Sequence, residues 1–471
     1  MTDSGASRRA PAAVVAEPVA TGTLLFYGFG QIGAQFFRDA PAVLLPVFMT
    51  TILGVAPWMA GAVILVAKGW VIVSDPLMGS LSDRIKASHG RRPYLAAGAV
   101  LTSVTFVGLF VFSGYRAPWV AAMTVGALFF VATTAFSAFS VPYLALASEL
   151  SSDPHERTRI LTFRMVFAVA GVVLGVGLAQ PLVFQLGGGA AAWRTMAVLM
   201  GGICLVAMLA TAYGVPRRRG VAPARPPQQG LGRMGMLWRC RPFVYLTLTW
   251  LLQSLAQATG TGVLGFLFIY VVEDTDLLLP FILVMALSTL ATQPLWLAWS
   301  VRAGKEPVFV AGCVLWIATA LSWLLLQPDS DVLVTLPGLG ALSTQDALVL
   351  LRGSMVGVST GGFLLLSLSM LTDAIESQRR REGWVDEGLF SGVFSAVEKL
   401  AYALGPMISG AVLSVMGFQA STQGAVAQGP GVVRGIILLF SVIPAVIFLT
   451  GLPTFALYRR ALAAERRATL S

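Results

Sequence analysis

The chain has 471 residues, of which 56% are hydrophobic and only 11% charged, with a formal net charge of +10. Soluble proteins carry about 25% charged residues, so this composition argues against a soluble multi-domain protein. Three scattered cysteines (Cys204, Cys240, Cys313) lack metal or disulfide spacing, and the two histidines, His89 and His155, sit in charged stretches, which leaves none for a metal site or proton relay inside a membrane.

Residues 1–21 contain no apolar core flanked by a cleavage site, so no removable signal peptide is evident and they read as a disordered tail. Twelve apolar runs follow, near 22–50, 55–81, 93–114, 118–148, 158–186, 193–215, 242–272, 277–301, 307–327, 344–372, 387–416 and 431–458. Such runs match the roughly 20 residues that a helix needs to cross a bilayer. The first six form one bundle (22–215) and the last six another (242–458), joined by the Pro-, Gly- and Arg-rich linker 216–241 and followed by a tail, 459–471. The expected fold class is an all-α membrane protein of twelve transmembrane helices in two pseudo-symmetric six-helix bundles. Of the 32 Lys and Arg, 24 fall on the side that holds both termini, against Arg116, Arg194, Arg352 and Arg434 on the other. The positive-inside rule then makes both termini cytoplasmic. The basic charge reflects topology, and no nucleic-acid partner is implied.

In span one, Gly28-Phe29-Gly30-Gln31-Ile32-Gly33 matches a dinucleotide fingerprint, but that motif requires a strand before it and a helix after it. Inside an apolar helix, small residues serve close packing.

Span two begins a stronger pattern. Asp75-Pro76-Leu77-Met78-Gly79-Ser80-Leu81-Ser82-Asp83-Arg84 is answered 218 positions later by Gln293-Pro294-Leu295-Trp296-Leu297-Ala298-Trp299-Ser300-Val301-Arg302. Gly90-Arg91-Arg92-Pro93 and Gly304-Lys305-Glu306-Pro307 continue the two copies. Internal repeats of this kind mark secondary transporters, in which one half moves against the other around a central site. The second copy replaces both acids of the first, so any ion chemistry should be lopsided toward the N-terminal half.

Seven charged residues are read as lying in the apolar phase: Arg38, Asp39, Lys68, Asp75, Arg164, Glu398 and Lys399. A charge at the bilayer centre costs at least ~2.5–3.5 kcal/mol, so such residues pair or line a polar cavity. Lys68 precedes Asp75 by seven residues on one helical face, leaving room for a cation or a substrate group between them. Arg38 and Asp39 point about 100° apart, so Asp39 is expected to pair with Lys68 on the neighbouring span. Lys399, near the middle of span eleven, is placed to hold an anionic group. Four bases against three acids favour a solute with negative charge. At the cytoplasmic mouth, Asp83, Arg84, Arg91, Arg92, Glu149, Asp153, Glu156 and Arg157, with Arg302 and Lys305 of the second copy, can lock the halves in one state. Exposed pairs contribute only ~0–1 kcal/mol each, so that lock acts as a network; the alternative is charge that only sets topology.

These residues resemble the glycoside–pentoside–hexuronide:cation symporters of the major facilitator superfamily, the group of melibiose permease and, more distantly, sodium-coupled lysolipid carriers. The resemblance spans roughly residues 22–455. It rests on Tyr27-Gly28-Phe29-Gly30, Asp75-Pro76-Leu77-Met78-Gly79 and Val141-Pro142-Tyr143-Leu144-Ala145-Leu146 with Glu149-Leu150 and Glu156-Arg157-Thr158. Arg164, Pro294-Leu295-Trp296 with Gly304-Lys305, and Gly388-Leu389-Phe390 through Lys399 complete it. The resemblance implies the major facilitator fold and a cation held by two carboxylates one turn apart on span two. Asp75 matches the second carboxylate, whereas the first falls on Val71. The sugar-gripping acid of span one falls on Gln35 and an acid of span four on Ser140; Arg164 and Lys399 match family positions. Sodium needs several oxygens and a proton one titratable group, so the changes favour proton coupling through Asp75, with Asp39 as a second acid, over sodium.

The sequence therefore predicts a secondary active transporter with no cofactor, a cation (H+ or Na+) at Asp75 and Asp39, and a sugar-like or anionic solute among Gln35, Arg38, Lys68, Ser140, Arg164 and Lys399. Trp70, Trp296 and Trp299 are candidates to stack on a sugar, although tryptophan in spans more often packs or sits at the interface. The expected setting is a bacterial inner membrane, and the expected state is a monomer whose partners are solute, cation and bilayer. Rival readings are an exporter or lysolipid-type carrier on the same fold, or a membrane enzyme or sensor; no nucleophile–base pair or metal cluster in the spans supports the last.

Overall fold

Prolines and glycines set many of the helix boundaries. The computed structural model describes residues 19–151, 154–216, 234–326, 332–336, 340–382 and 387–468. The first group of helices comprises α1 (Thr21–Thr51), α2 (Pro57–His89), α3 (Arg92–Val111), α4 (Pro118–Leu150), α5 (Pro154–Val172), α6 (Ala179–Gln185) and α7 (Ala190–Gly214). A π-helical turn, Val173–Leu178, runs α5 into α6 as one span. After a short α8 (Met234–Arg239) come α9 (Arg241–Tyr270), α10 (Leu278–Ala303), α11 (Lys305–Ser322), α12 (Thr344–Glu382), α13 (Glu387–Val415), α14 (Pro430–Phe440) and α15 (Val442–Ala468). Pro93, Pro118, Pro242 and Pro430 occupy first turns, where a missing N–H removes no helical hydrogen bond.

The two groups share one packing plan. In the first, α1 packs on α5 and α7, α2 on α4, and α3 on α4 and α7. In the second, α9 packs on α13 and α15, α10 on α12, and α11 on α12 and α15. The groups meet where α2 crosses α13, where α10 crosses the π-helical turn, and where α1 meets α9. Helix α2 corresponds to α10 and α5 to α13, so the two crossings are mates under the pseudo-two-fold.

The sequence repeat has a physical counterpart at its turns. Gly90 and Gly304 end α2 and α10 with φ of 73° and 87°, a left-handed conformation that favours glycine. The basic residue after each glycine ties its helix to the next: Arg91 Nε bonds Glu149 Oε1 on α4 at 2.8 Å, and Lys305 Nζ bonds Asp373 Oδ2 on α12 at 2.7 Å. Higher up, Trp70 Nε1 donates to Thr134 Oγ1 between α2 and α4, and Ser288 and Ser354 share a hydrogen bond between α10 and α12.

Hydrogen bonds between the groups gather in the half opposite the termini. Gly54 N donates to Ser421 O, Ser421 N to Thr50 O, and Gly424 N to Thr51 O. Trp58 N reaches Ser414 Oγ, Gln180 Nε2 reaches Gly265 O, and Gln185 Nε2 reaches Asp276 Oδ1. At Gly61 of α2 a Cβ would lie 2.6 Å from the Pro406 carbonyl oxygen of α13, so backbone contacts backbone there. This end of the molecule is closed.

Some elements differ from the sequence expectation. The last span breaks at Ser441 into α14 and α15. Between α11 and α12, where a loop was expected, an antiparallel hairpin pairs Val332–Leu336 (β1) with Gly340–Ser343 (β2). The β-branched residues Val332, Val334 and Thr335 of β1 favour it. Most of the predicted linker, residues 217–233, lies outside the described residues.

A candidate solute and cation site between the helix groups

Ten stretches among the described residues are long and apolar enough to cross a membrane, and α1 and α13 are not among them. Both are long enough, at 31 and 29 residues. Their apolarity is interrupted by Gln31, Gln35, Arg38 and Asp39 on α1 and by Glu398 and Lys399 on α13. Helices α1 and α13 meet at the seam between the two groups, so these polar faces turn toward it and away from lipid.

On α1 the polar side chains form a ladder at helical spacing. Arg164 Nε of α5 donates to Gln31 Oε1 (2.7 Å), Gln31 Nε2 to Gln35 Oε1 (3.0 Å), and Gln35 Nε2 to Asp39 Oδ2 (2.5 Å). Positions 31, 35 and 39 lie one above another at i, i+4. Arg38 Nε closes the top on Asp39 Oδ1 at 3.0 Å. Its side chain lies near the middle of a long helix yet is 63% solvent-accessible, as expected of a residue lining an opening between the groups. At the foot of the ladder, the Arg164 guanidinium lies 5.8 Å from the Tyr143 ring, which stacks on Tyr27.

The expected pairing of Asp39 with Lys68 is not what forms. Lys68 Nζ donates to the main-chain oxygen of Arg38 at 2.5 Å. Asp39 is satisfied by its own neighbour because the long Arg38 side chain folds back across the 100° that separates consecutive helical positions. The space expected between Lys68 and Asp75 is bypassed as well. Asp75 Oδ2 accepts from Lys399 Nζ at 2.5 Å, with 19% and 41% of the two side chains exposed. This ion pair bridges α2 and α13, across the seam, and the other oxygen, Asp75 Oδ1, is buried without a hydrogen-bond partner.

Two residues beside the seam were not singled out as site residues from sequence. Glu398 and Tyr402, on α13, lie within electrostatic reach of Arg38 and Asp39. Gln31 was also overlooked, although the 31-35-39 spacing was a usable signal. Ser140 is half-buried on α4 and takes no part in the ladder. Trp296 is buried and donates to Val358 O, and Trp70 stacks on Phe130, so both pack helices together; Trp299 is exposed.

The mouth residues pair within each group. Arg91 also donates to Ser82 Oγ, Arg92 lies over the Tyr213 ring, and Glu156 pairs with Arg159 three residues on. Arg84 and Arg302 are exposed. The side chains of Asp83 and Arg157, and all of Asp153, lie outside the described residues. The ion pairs described for these mouth residues lie inside a group: Arg91–Glu149 and Arg159–Glu156 in the first, Lys305–Asp373 in the second.

Two matched helix groups around a polar, solvent-reached seam define a membrane carrier that works by moving one group against the other. The chain belongs to the MFS/sugar transport protein family, which it matches over residues 26–459, as a symporter of the glycoside–pentoside–hexuronide type. It is 24% identical over 438 residues to the inner membrane symporter YicJ of Escherichia coli, covering 90% of this chain and 88% of that protein. It is also 24% identical over 408 residues to the isoprimeverose transporter of Lactiplantibacillus pentosus, covering 84% and 80%. Among solved structures, a bacterial homologue of the lysosomal transporter Spinster superposes with a TM-score of 0.68 at 14% identity, over 95% of this chain and 98% of that one. The fold is the major facilitator fold. The protein is a multi-pass membrane transporter, not an enzyme, and performs secondary active symport of a solute with a coupling cation.

Proposed function

We propose that the coupling cation is a proton and that the solute is a sugar-like or anionic molecule held along the α1 ladder. The observation that carries this reading is the Lys399–Asp75 bridge. The cation position of span two is filled by an ammonium from the opposite group, and Val71, one turn before Asp75, supplies no oxygen for a sodium cage. Protonating Asp75 releases Lys399, and an anionic or hydroxyl group of the solute can take the vacated place. Either event alone leaves a charge without its partner in a low-dielectric setting, a costly state. Proton and solute together leave none, so the two bind and move as a unit.

Gln35 and Arg38 offer hydrogen bonds to hydroxyls, Arg164 and Lys68 offer positive charge without an ion-paired carboxylate among the described residues, and Ser140 borders the path. Both termini face the cytoplasm of a bacterial cell, which agrees with the 24 basic residues on that side. The conformer, closed at the far end, then faces inward. Replacing Asp75 (Asp75→Asn) is expected to abolish cation-driven accumulation in proteoliposomes while leaving solute exchange intact. Undiminished accumulation by the variant would remove Asp75 from the mechanism.

A further inference from the structure

The seam holds three intramembrane carboxylates, and their surroundings differ. Asp75 is paired with Lys399 at 2.5 Å and Asp39 with Arg38 at 3.0 Å. Glu398 is half-buried and makes no ion pair or hydrogen bond among those described, and its oxygens keep some accessible surface. The charged and titratable groups facing it are Arg38 and Asp39 from α1 and Lys399 and Tyr402 from its own helix; Lys68 and Asp75 of α2 stand behind these, bonded to Arg38 and Lys399. With every group ionised, Arg38, Lys68 and Lys399 balance Asp39, Asp75 and Glu398. Neutralising Asp75 would strand Lys399, and neutralising Asp39 would strand Arg38. Neutralising Glu398 breaks no ion pair.

We propose that Glu398 is the group that takes up the proton in the solute-free transporter. This inference rests on the proton-coupled reading and adds an entry point for the proton on the second helix group, one residue from the lysine that answers Asp75. The step is a plain protonation: a water-borne proton binds a Glu398 carboxylate oxygen, and the seam gains one positive charge. That charge favours an anionic or strongly polarised solute, and by linkage a bound solute favours the proton equally. Position 398 lies beside Lys399 and is flanked by Val397 and Leu400, within a 29-residue helix. An intramembrane acid retained there without a structural pair marks a function by default.

The test uses the purified transporter in lipid, without solute, and reads infrared difference spectra between mildly alkaline and mildly acidic pH. Loop carboxylates titrate near about 4 and contribute little in that window. The expected result is a protonated-carboxyl band in the wild type that persists in Asp75→Asn and Asp39→Asn and disappears in Glu398→Gln. Glu398→Asp, which keeps a carboxyl, is expected to retain a band at a displaced frequency and guards against a folding defect in the glutamine variant. A band that persists in Glu398→Gln, or one that vanishes in Asp75→Asn, overturns the assignment. Failure of the proton-coupled reading shows separately, as wild-type proteoliposomes that accumulate solute on a sodium gradient and ignore a pH gradient.

Discussion

At the scale of single residues, the account turns on which groups hold which charges. Arg164 donates to the neutral Gln31 and lies near the Tyr143 ring, so its positive charge is positioned without being cancelled by either. Gln31→Leu is expected to release it. A hydrogen bond to a charged group contributes ~1.5–3 kcal/mol, so solute binding should weaken roughly tenfold to a hundredfold, read from the solute concentration that half-saturates counterflow. An unchanged half-saturation would take Gln31 out of the solute path. The seven intramembrane charges stand out in the sequence because each interrupts an apolar run. Their partners do not, since Asp75 and Lys399 are 324 positions apart and only the crossing of α2 with α13 brings them together. The fold-back of Arg38 onto Asp39 escaped for a different reason: helical periodicity gives the direction of a Cβ, whereas a long side chain can cover the angle to its neighbour.

At the scale of elements, two kinds of contact do different work. Charged pairs near the termini staple helices inside a group. Arg91 is only 8% exposed where it meets Glu149, and removing one partner of a buried pair costs about 3–5 kcal/mol. Arg91→Ala should therefore lower the melting temperature clearly, whereas the exposed Arg302, changed to Ala, should shift it little; equal effects would contradict the assignment. Glycine contacts, by contrast, hold the two groups together. Gly61→Val would drive a side chain into the Pro406 carbonyl, and overpacking of this kind costs about 1–3 kcal/mol. Because the contact joins the two groups at the closed far end, the variant is expected to populate an open far end, seen as longer distances between spin labels placed on the 54 and 421 loops. Helix existence was legible here from runs of apolar residues. The π-helical turn and the break at Ser441 were not, because each depends on packing that no local period records.

At the scale of the whole molecule, the repeat read from Asp75-Pro76 and Gln293-Pro294 proves to be an architectural one, with matched turns at Gly90 and Gly304 and matched ion pairs beside them. The loss of both acids in the second copy led to the expectation of ion chemistry lopsided toward the N-terminal half, and Asp39 and Asp75 belong to that group. Glu398 departs from that rule, since it lies on the C-terminal group outside the repeated motif. Orientation can be tested directly, since the three native cysteines are buried and cysteines added at the two termini can be labelled without removing them. Both should react only from the cytoplasmic side. The most direct measurement of the central claim is uptake of labelled glycosides and uronates into proteoliposomes under an imposed pH gradient, with the lipid otherwise at equilibrium. The account predicts accumulation above the outside concentration, collapsing when a protonophore dissipates the gradient and absent in Asp75→Asn. Uptake that only equilibrates, in wild type and variant alike, would contradict it.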